Sequence, residues 1–327
     1  MSRTLRIGTR DSQLAVWQAT LVQNLLKGQG VSSELIYIKS EGDIDTVTPL
    51  YALGVQGVFT RSLDAALLSG RIDIAVHSMK DVPTQLAQGI QEVAVLERAS
   101  TKDIFVYKNE SDLAKLGWVN GQWSKVNREE QALTIDHSPF TIGTSSIRRI
   151  AQWKHRYPNT DVENLRGNVN TRLRKVAESD WAGAIFAAAG VERIEVRPAT
   201  SVDLDWMLPA PAQGAIMIVC RSEDAEAYES VRPLNHPETA LCVRVERDFL
   251  RTLMGGCSTP ISALARIEYA QVRFEGNLCA PDGSELVEIQ KQADIAFANN
   301  LGVDAANELL QNPRVLKIVE AIRNAKG

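Results

Sequence analysis

Apolar and polar positions alternate through residues 5–9, after which Leu14, Trp17, Leu21 and Leu25 recur at helical spacing until Gly28 and Gly30 stop the pattern. A strand and a helix are predicted there, with Asp11 or Ser12 as the N-cap. Residues 35–38 read as the next strand, 54–59 as a glycine-flanked loop, 60–69 as a helix ended by Gly70, and 72–76 as a buried strand. This alternation predicts a mostly parallel sheet. A domain crossing falls within 97–108, around the apolar strand 104–107. The polar stretch 118–139, patternless apart from Trp118 and Trp123, reads as an insertion rather than a working element.

A second strand–helix unit opens at Phe140-Thr141-Ile142-Gly143-Thr144 and echoes Ile7-Gly8-Thr9; each runs into hydroxyls, an arginine and a helix bearing a tryptophan. The echo is a weak internal repeat of two similar domains. A helix is predicted over 171–178, capped by Asn168 or Asn170, and a strand over 184–188. Residues 208–214 read as a stiff extended connector, and the strand-like 215–219 is expected to return to the first sheet, giving two crossings and a hinge. A third region starts at Asn235-His236-Pro237, with an amphipathic helix over 237–253 and strands at 261–267, 272–278 and 286–292. These strands are expected to form a small antiparallel sheet covered by helices at 301–311 and 315–323.

The length of 327 residues exceeds one ordinary core and agrees with two or three domains. With 44% hydrophobic and 23% charged residues, and no apolar run near the ~20 residues that a membrane span requires, a globular protein without a membrane partner is expected. Residues 1–4 lead straight into the first strand and leave no room for a signal peptide, so a cytoplasmic location is expected. Cys220, Cys242, Cys257 and Cys279 show no metal-ligand spacing, the histidines make no cluster, and no metal site is expected. The net charge of −4 hides a local excess: residues 148–175 hold eight Lys/Arg against Asp161 and Glu163. Such a focus in an acidic protein suits a polyanionic small molecule better than nucleic acid, for which Trp153 and Tyr157 are thin aromatic support.

Four predicted strand ends carry candidate chemistry. The run Ala75-Val76-His77-Ser78-Met79-Lys80-Asp81-Val82-Pro83 places a hydroxyl, an ammonium and a carboxylate where open α/β sheets bind ligands. Together they can hold an anion and stabilise a nearby cation; the same residues also fit a polar strand exit with Lys80 and Asp81 in solvent. Arg10-Asp11-Ser12 and Thr144-Ser145-Ser146-Ile147-Arg148-Arg149 put hydroxyls and guanidinium groups at helix starts, and Leu165-Arg166-Gly167-Asn168-Val169-Asn170-Thr171-Arg172 repeats the device. One basic helix start is usually a solvated face, whereas three at strand ends favour an anion cleft. Gln56 and Arg61 can reach a ligand from a loop able to act as a lid. Cys257 follows two glycines and precedes Pro260, so a loop can present its sulfur, although most free cysteines are small buried hydrophobes.

These stretches, with Gln213-Gly214-Ala215 and Gly255-Gly256-Cys257, make six motifs in order, and across nearly its whole length the chain resembles the porphobilinogen deaminase (hydroxymethylbilane synthase) family. The resemblance implies an α/β protein with two periplasmic-binding-protein-like (type II) domains, a hinge and a cleft, plus a small α+β C-terminal domain with a three-stranded antiparallel sheet. The implied domains are 1–102 with about 214–233, then 103–213, then 234–327. It also implies a monomer carrying one dipyrromethane cofactor in thioether linkage to Cys257. Porphobilinogen is the implied substrate, condensed head to tail four times with loss of ammonia to release hydroxymethylbilane. Asp81 matches the family's catalytic aspartate. Arg10, Ser12, Gln18, Ser78, Lys80, Thr144, Ser145, Ser146, Arg148, Arg149, Arg166, Gly167, Asn168, Arg172, Ala189 and Gln213 match cofactor- or substrate-binding positions, and Gln56 and Arg61 the lid loop.

The chemistry of the residues agrees with that resemblance. Every pyrrole ring carries an acetate and a propionate, so a growing oligopyrrole is a polyanion that an arginine-lined cleft holds by paired hydrogen bonds. Deamination leaves an azafulvenium-like cation that needs a fixed carboxylate, a task assigned to Asp81, with proton shuttling as a secondary role. The chain departs from the family pattern at Gln56 and Arg61, where lysines are usual, at Ala212, where glycine is usual, and in the length of 118–139. The rival reading is a non-catalytic two-domain anion-binding protein, which release of ammonia from porphobilinogen would exclude.

Overall fold

The computed structural model describes residues 3–39, 60–124, 140–253 and 259–324. The predicted loop with Gln56, residues 125–139 and the Gly255-Gly256-Cys257 stretch lie outside them. The first sheet begins with β1 (Leu5–Thr9), joined through α1 (Gln13–Gly28) to β2 (Ser33–Tyr37), and α2 (Arg61–Leu68) leads into β3 (Ile74–Ser78), a 3-10 turn (Met79–Asp81) and β4 (Ile90–Val95). The chain crosses to a second sheet through β5 (Asp103–Tyr107), α3 (Glu110–Lys115) and the hairpin of β6 (Trp118–Val119) and β7 (Gln122–Trp123). That sheet continues with β8 (Phe140–Gly143), α4 (Ile147–Arg156), β9 (Thr160–Glu163), α5 (Val169–Glu178), β10 (Gly183–Ala187), α6 (Ala188–Glu192) and β11 (Ser201–Asp203). The chain returns through β12 (Ile216–Arg221) and α7 (Ala225–Val231). The third unit comprises α8 (Pro237–Thr252), β13 (Ile261–Glu268), β14 (Gln271–Cys279), β15 (Leu286–Asp294), α9 (Leu301–Leu310) and α10 (Pro313–Asn324).

The two large sheets have matching strand orders, β2-β1-β3-β12-β4 and β9-β8-β10-β5-β11. In each, one strand runs against the rest, and it is the strand that the chain lays down on arriving from the other sheet: β12 in the first and β5 in the second. The weak repeat in sequence is thus a repeat of topology, as expected of two similar domains, and β13-β14-β15 form the expected antiparallel sheet. Both faces of the first sheet are covered, which explains its unbroken apolar runs. Ile74, Val76, Ile216 and Ile218 face Ala19, Val22 and Leu26 of α1, while Ala75, Met217 and Val219 face Leu63 and Leu67 of α2 together with Ala240 and Val243 of α8.

Three local expectations change. The strand predicted at 72–76 begins at Ile74, where pairing with Ile7 starts, and extends to Ser78, because Asp73 accepts the Arg6 N–H and Ile72 covers Gly8. The first part of the predicted insertion packs against the core through two half-buried tryptophans: Trp118 lies edge-on to Trp123 at 5.1 Å, and Trp123 meets Trp206 at 6.3 Å. The connector is not extended throughout, since it ends in a tight turn with Ala212 at φ 61 and Gly214 at φ 87. A Cβ on Gly214 would lie 2.6 Å from the Ser100 carbonyl and 2.7 Å from that of Ala99, so the two crossings approach too closely for a side chain. At Ala212 the left-handed backbone accounts for the glycine usual in the family.

All three units meet at Glu246, which is 0% exposed. Arg98 grips it with two hydrogen bonds of 2.6 and 2.9 Å, and the Ala212 and Ala265 N–H groups donate to it at 2.6 and 2.8 Å. Breaking such a pair strands a buried charge. Glu246→Gln is therefore expected to lower stability by about 3–5 kcal/mol, measured as a fall in the urea midpoint at unchanged slope; a native midpoint would remove Glu246 from this role.

Candidate active site

The parallel register Ile7↔Ile74 and Gly8↔Ala75 sets the ends of β1 and β3 side by side, at the point where the strand order reverses. Crevices of this kind receive ligands in open α/β sheets. Arg10 and Ser12 emerge there, and Ser12 caps α1 by accepting the Ala15 N–H at 3.4 Å. Gln18, buried on α1, donates to Ser78 Oγ at 2.9 Å. His77 is buried too, and burial with the nearby charge of Arg10 pushes it down to about 4, so it is neutral near pH 7. The Asp81 turn is pinned by its backbone: Met79 N–H donates to Ala215 O at 3.0 Å, and Val82 N–H to Met79 O at 3.1 Å. With Met79 buried beneath, Lys80 and Asp81 are left half-buried at the strand end.

The equivalent reversal in the second sheet lies between β8 and β10. Ser146 occupies the N-cap of α4 without spending its hydroxyl on the cap, and Thr144, buried, accepts the Ser146 N–H at 3.3 Å. The Ser145 hydroxyl donates to Leu165 O at 2.6 Å, which ties this helix start to the loop before α5. Asn168 caps α5 by accepting the Thr171 N–H at 3.0 Å, and Gly167 stands at φ +111. Arg172 Nε donates to Gly167 O at 2.7 Å. Ala189 is buried in α6, and Arg166 is buried on the loop. Arg61 opens α2 at an exposed position.

The two walls share one electrostatic field. Burial, with the charges of Arg149, Arg166 and Arg10, pushes Arg172 down to about 10, while Asp81 across the cleft acts in the opposite direction. The walls also touch directly: Asn170 donates to Gln13 Oε1 at 2.7 Å, and the Arg193 guanidinium lies 5.7 Å over the Trp17 ring.

Arg148 and Arg149 turn inward. Asp103, the first residue of β5, accepts from Arg148 Nη2 at 2.6 Å through one oxygen and from Arg149 Nη2 at 2.7 Å through the other. Their remaining bonds go to Leu208 O at 2.8 Å and Ile185 O at 3.0 Å. Gln213 adds a third donor to Asp103 at 3.0 Å, and its own carbonyl oxygen accepts from Lys80 Nζ at 3.2 Å. Burial alone would raise Asp103, yet Arg148, Arg149 and Lys80 hold it well below the usual carboxylate range. Burial pushes Lys80 down to about 8, with Asp81 opposing that shift. Asp103 is absent from the residues singled out by sequence; its one signal is a charge opening the apolar strand Asp-Ile-Phe-Val-Tyr.

Among the described residues no group of three or more His, Cys, Asp or Glu is placed to hold a metal, and no helix is long and apolar enough to cross a membrane. Among solved structures the chain is similar to the VFT2 domain of Bordetella pertussis BvgS, at 14% identity over 71% of this chain and 86% of that one, with a TM-score of 0.39. It is similar to the methionine binding protein MetQ (13% identity, 71% and 89% covered, TM-score 0.41). It is also similar to the probable amino-acid ABC transporter extracellular-binding protein YtmK of Bacillus subtilis (9% identity, 72% and 90% covered, TM-score 0.42). Two family profiles match in order: "Porphobilinogen deaminase, dipyromethane cofactor binding domain" over residues 5–229 and "Porphobilinogen deaminase, C-terminal domain" over residues 240–311. Together these two domains match nearly the whole chain, which makes this protein a member of the porphobilinogen deaminase family, transferases that condense porphobilinogen into hydroxymethylbilane on a dipyrromethane cofactor.

Proposed function

We propose that Asp81 is the catalytic carboxylate of this deaminase and that the cations around it bind the carboxylates of substrate and cofactor. The observation that carries the reading is that Lys80 and Arg172, from two domains, both feel the charge of Asp81, while Arg10, Arg149 and Arg166 crowd around Arg172. Each pyrrole ring brings two carboxylates, and guanidinium groups take them by paired hydrogen bonds. The same set fits dipyrromethane, because crowding of buried cations already lowers Arg172, a cost that bound carboxylates offset. Arg10, Arg149, Arg166, Arg172 and Lys80 would hold its carboxylates, and Cys257 its thioether. When bound, it would supply the free pyrrole carbon to which the first ring is joined. Asp81 keeps a negative charge beside the incoming ring as ammonia leaves, which stabilises the positive charge spreading over that ring. One of its oxygens also takes the proton that the ring gives up when the new bond forms. Gln18 and Ser78 brace the floor of the site, and Ser146 offers its hydroxyl and helix start to an anion.

The working units are 1–102 with 214–233, then 103–213, then 234–327, hinged where Gly214 packs on Ala99 and Ser100. The free thiols of Cys220, Cys242 and Cys279 suit the reducing cytoplasm, and neither nucleic acid nor membrane is needed as a partner.

Asp81→Asn keeps size and removes charge, and turnover is expected to fall by at least ~10²-fold with folding intact; near-normal ammonia release would overturn the assignment. Lys80 is an ammonium below about 8 and neutral above it, so its grip on carboxylates is lost as pH rises. The Michaelis constant is therefore expected to climb through that range, and Lys80→Arg to flatten the climb; identical profiles would exclude Lys80 from binding. Intact-mass measurement is expected to find one dipyrromethane on the peptide containing Cys257, absent from Cys257→Ala and retained in Cys220, Cys242 and Cys279 variants. Active protein of sequence mass alone would refute covalent attachment.

A further inference from the structure

The turn that carries Asp81 is also held from the third unit. α8 packs Ala240 and Val243 on the first sheet, and one turn later Arg247 reaches the backbone around Asp81. Its Nη1 donates to Val82 O at 3.0 Å and to Met79 O at 3.3 Å, and its Nη2 donates to Pro83 O at 2.6 Å. The 3-10 turn Met79–Asp81 stops at Pro83, which has no N–H and cannot extend a helix. One planar guanidinium takes the carbonyls at the carboxyl end of this turn, a set that the single point charge of a lysine does not reproduce. The neighbouring side chain, Glu246, grips Arg98 of the domain crossing, so α8 fixes the turn relative to the crossing as well.

We infer that Arg247 is a positioning residue for Asp81: from the third domain it fixes the backbone of residues 79–83, so that the carboxylate stands where positive charge develops in the reacting ring. The inference rests on the reading of Asp81 given above. Misplacing a reacting group by about 1 Å costs up to ~10²-fold in rate. Because the carboxylate acts on the transition state, the loss falls on kcat and leaves KM nearly unchanged.

The test uses Arg247→Gln and Arg247→Lys, each in the native chain and in Asp81→Asn, with steady-state ammonia release and intact mass to verify cofactor content. In the native background kcat is expected to fall about 10- to 100-fold with KM within about twofold, and in the Asp81→Asn background the further fall is expected to stay below about twofold, since the effect runs through the missing charge. Amide exchange at Met79 and Val82 is expected to quicken at least ~10-fold, reporting the loosened turn without reference to turnover. Equal losses in both backgrounds, a loss confined to KM, unchanged exchange or a native kcat would each overturn the inference. Should Arg247→Gln fail to fold, Arg247→Lys decides by the same criteria. Native activity in Asp81→Asn alone would refute the reading of Asp81, a result distinct from an impaired Asp81→Asn beside unimpaired Arg247 variants.

Discussion

Asp103 keeps its negative charge while sealed from water, because cations and an amide close on it from both large domains. Burial works against that charge, and only the nearness of Arg148, Arg149 and Lys80 reverses the balance. A buried ion cluster is poor evidence of stability, since desolvation consumes most of what the attraction supplies. What this one accomplishes is placement. Arg149 and Lys80 are set at the floor of the cleft by bonds that already exist before a ligand arrives, and Gln213 relays the constraint between the domains. A site arranged in advance does not reorganise when charge moves during reaction.

The cleft above this floor follows from topology. In each large sheet the winding reverses beside the first strand, so helix starts and strand ends gather at one edge. Two such edges face one another, and hydroxyls, backbone N–H groups and guanidinium groups are what local geometry brings there. The result is a surface suited to several carboxylates at once, with Asp81 as the negative group opposite them.

The third domain is more than a carrier for a cysteine. Through α8 it covers part of the first sheet, secures the domain crossing with Glu246 and secures the Asp81 turn with Arg247. Within the third domain, α9 packs closely on α8 at Gly302, where a Cβ would lie 2.0 Å from Val245 O. One helix thus holds both the crossing and the turn.

Periodicity and turn chemistry determined which segments became strands and helices, because both are set by residues a few positions apart. The three basic helix starts, the returning strand and the antiparallel sheet were legible for that reason; the departure at Ala212, whose backbone stands at φ 61, showed only against the family pattern. The limits of β3 were not legible, since Ile72 is apolar in order to cover Gly8 and not to extend the ladder. Nor was the direction taken by Arg148 and Arg149. Read along the chain they are two more cations at a helix start; in the fold they turn to a carboxylate 45 and 46 residues away. Arg98 and Glu246 are 148 residues apart, and Arg247 and Pro83 are 164 apart. The sequence by itself determined the elements and the kinds of charge at their ends. Which charge meets which was decided only by tertiary structure, because the strength of a buried pair depends on exclusion of water and on the partner that folding brings within reach.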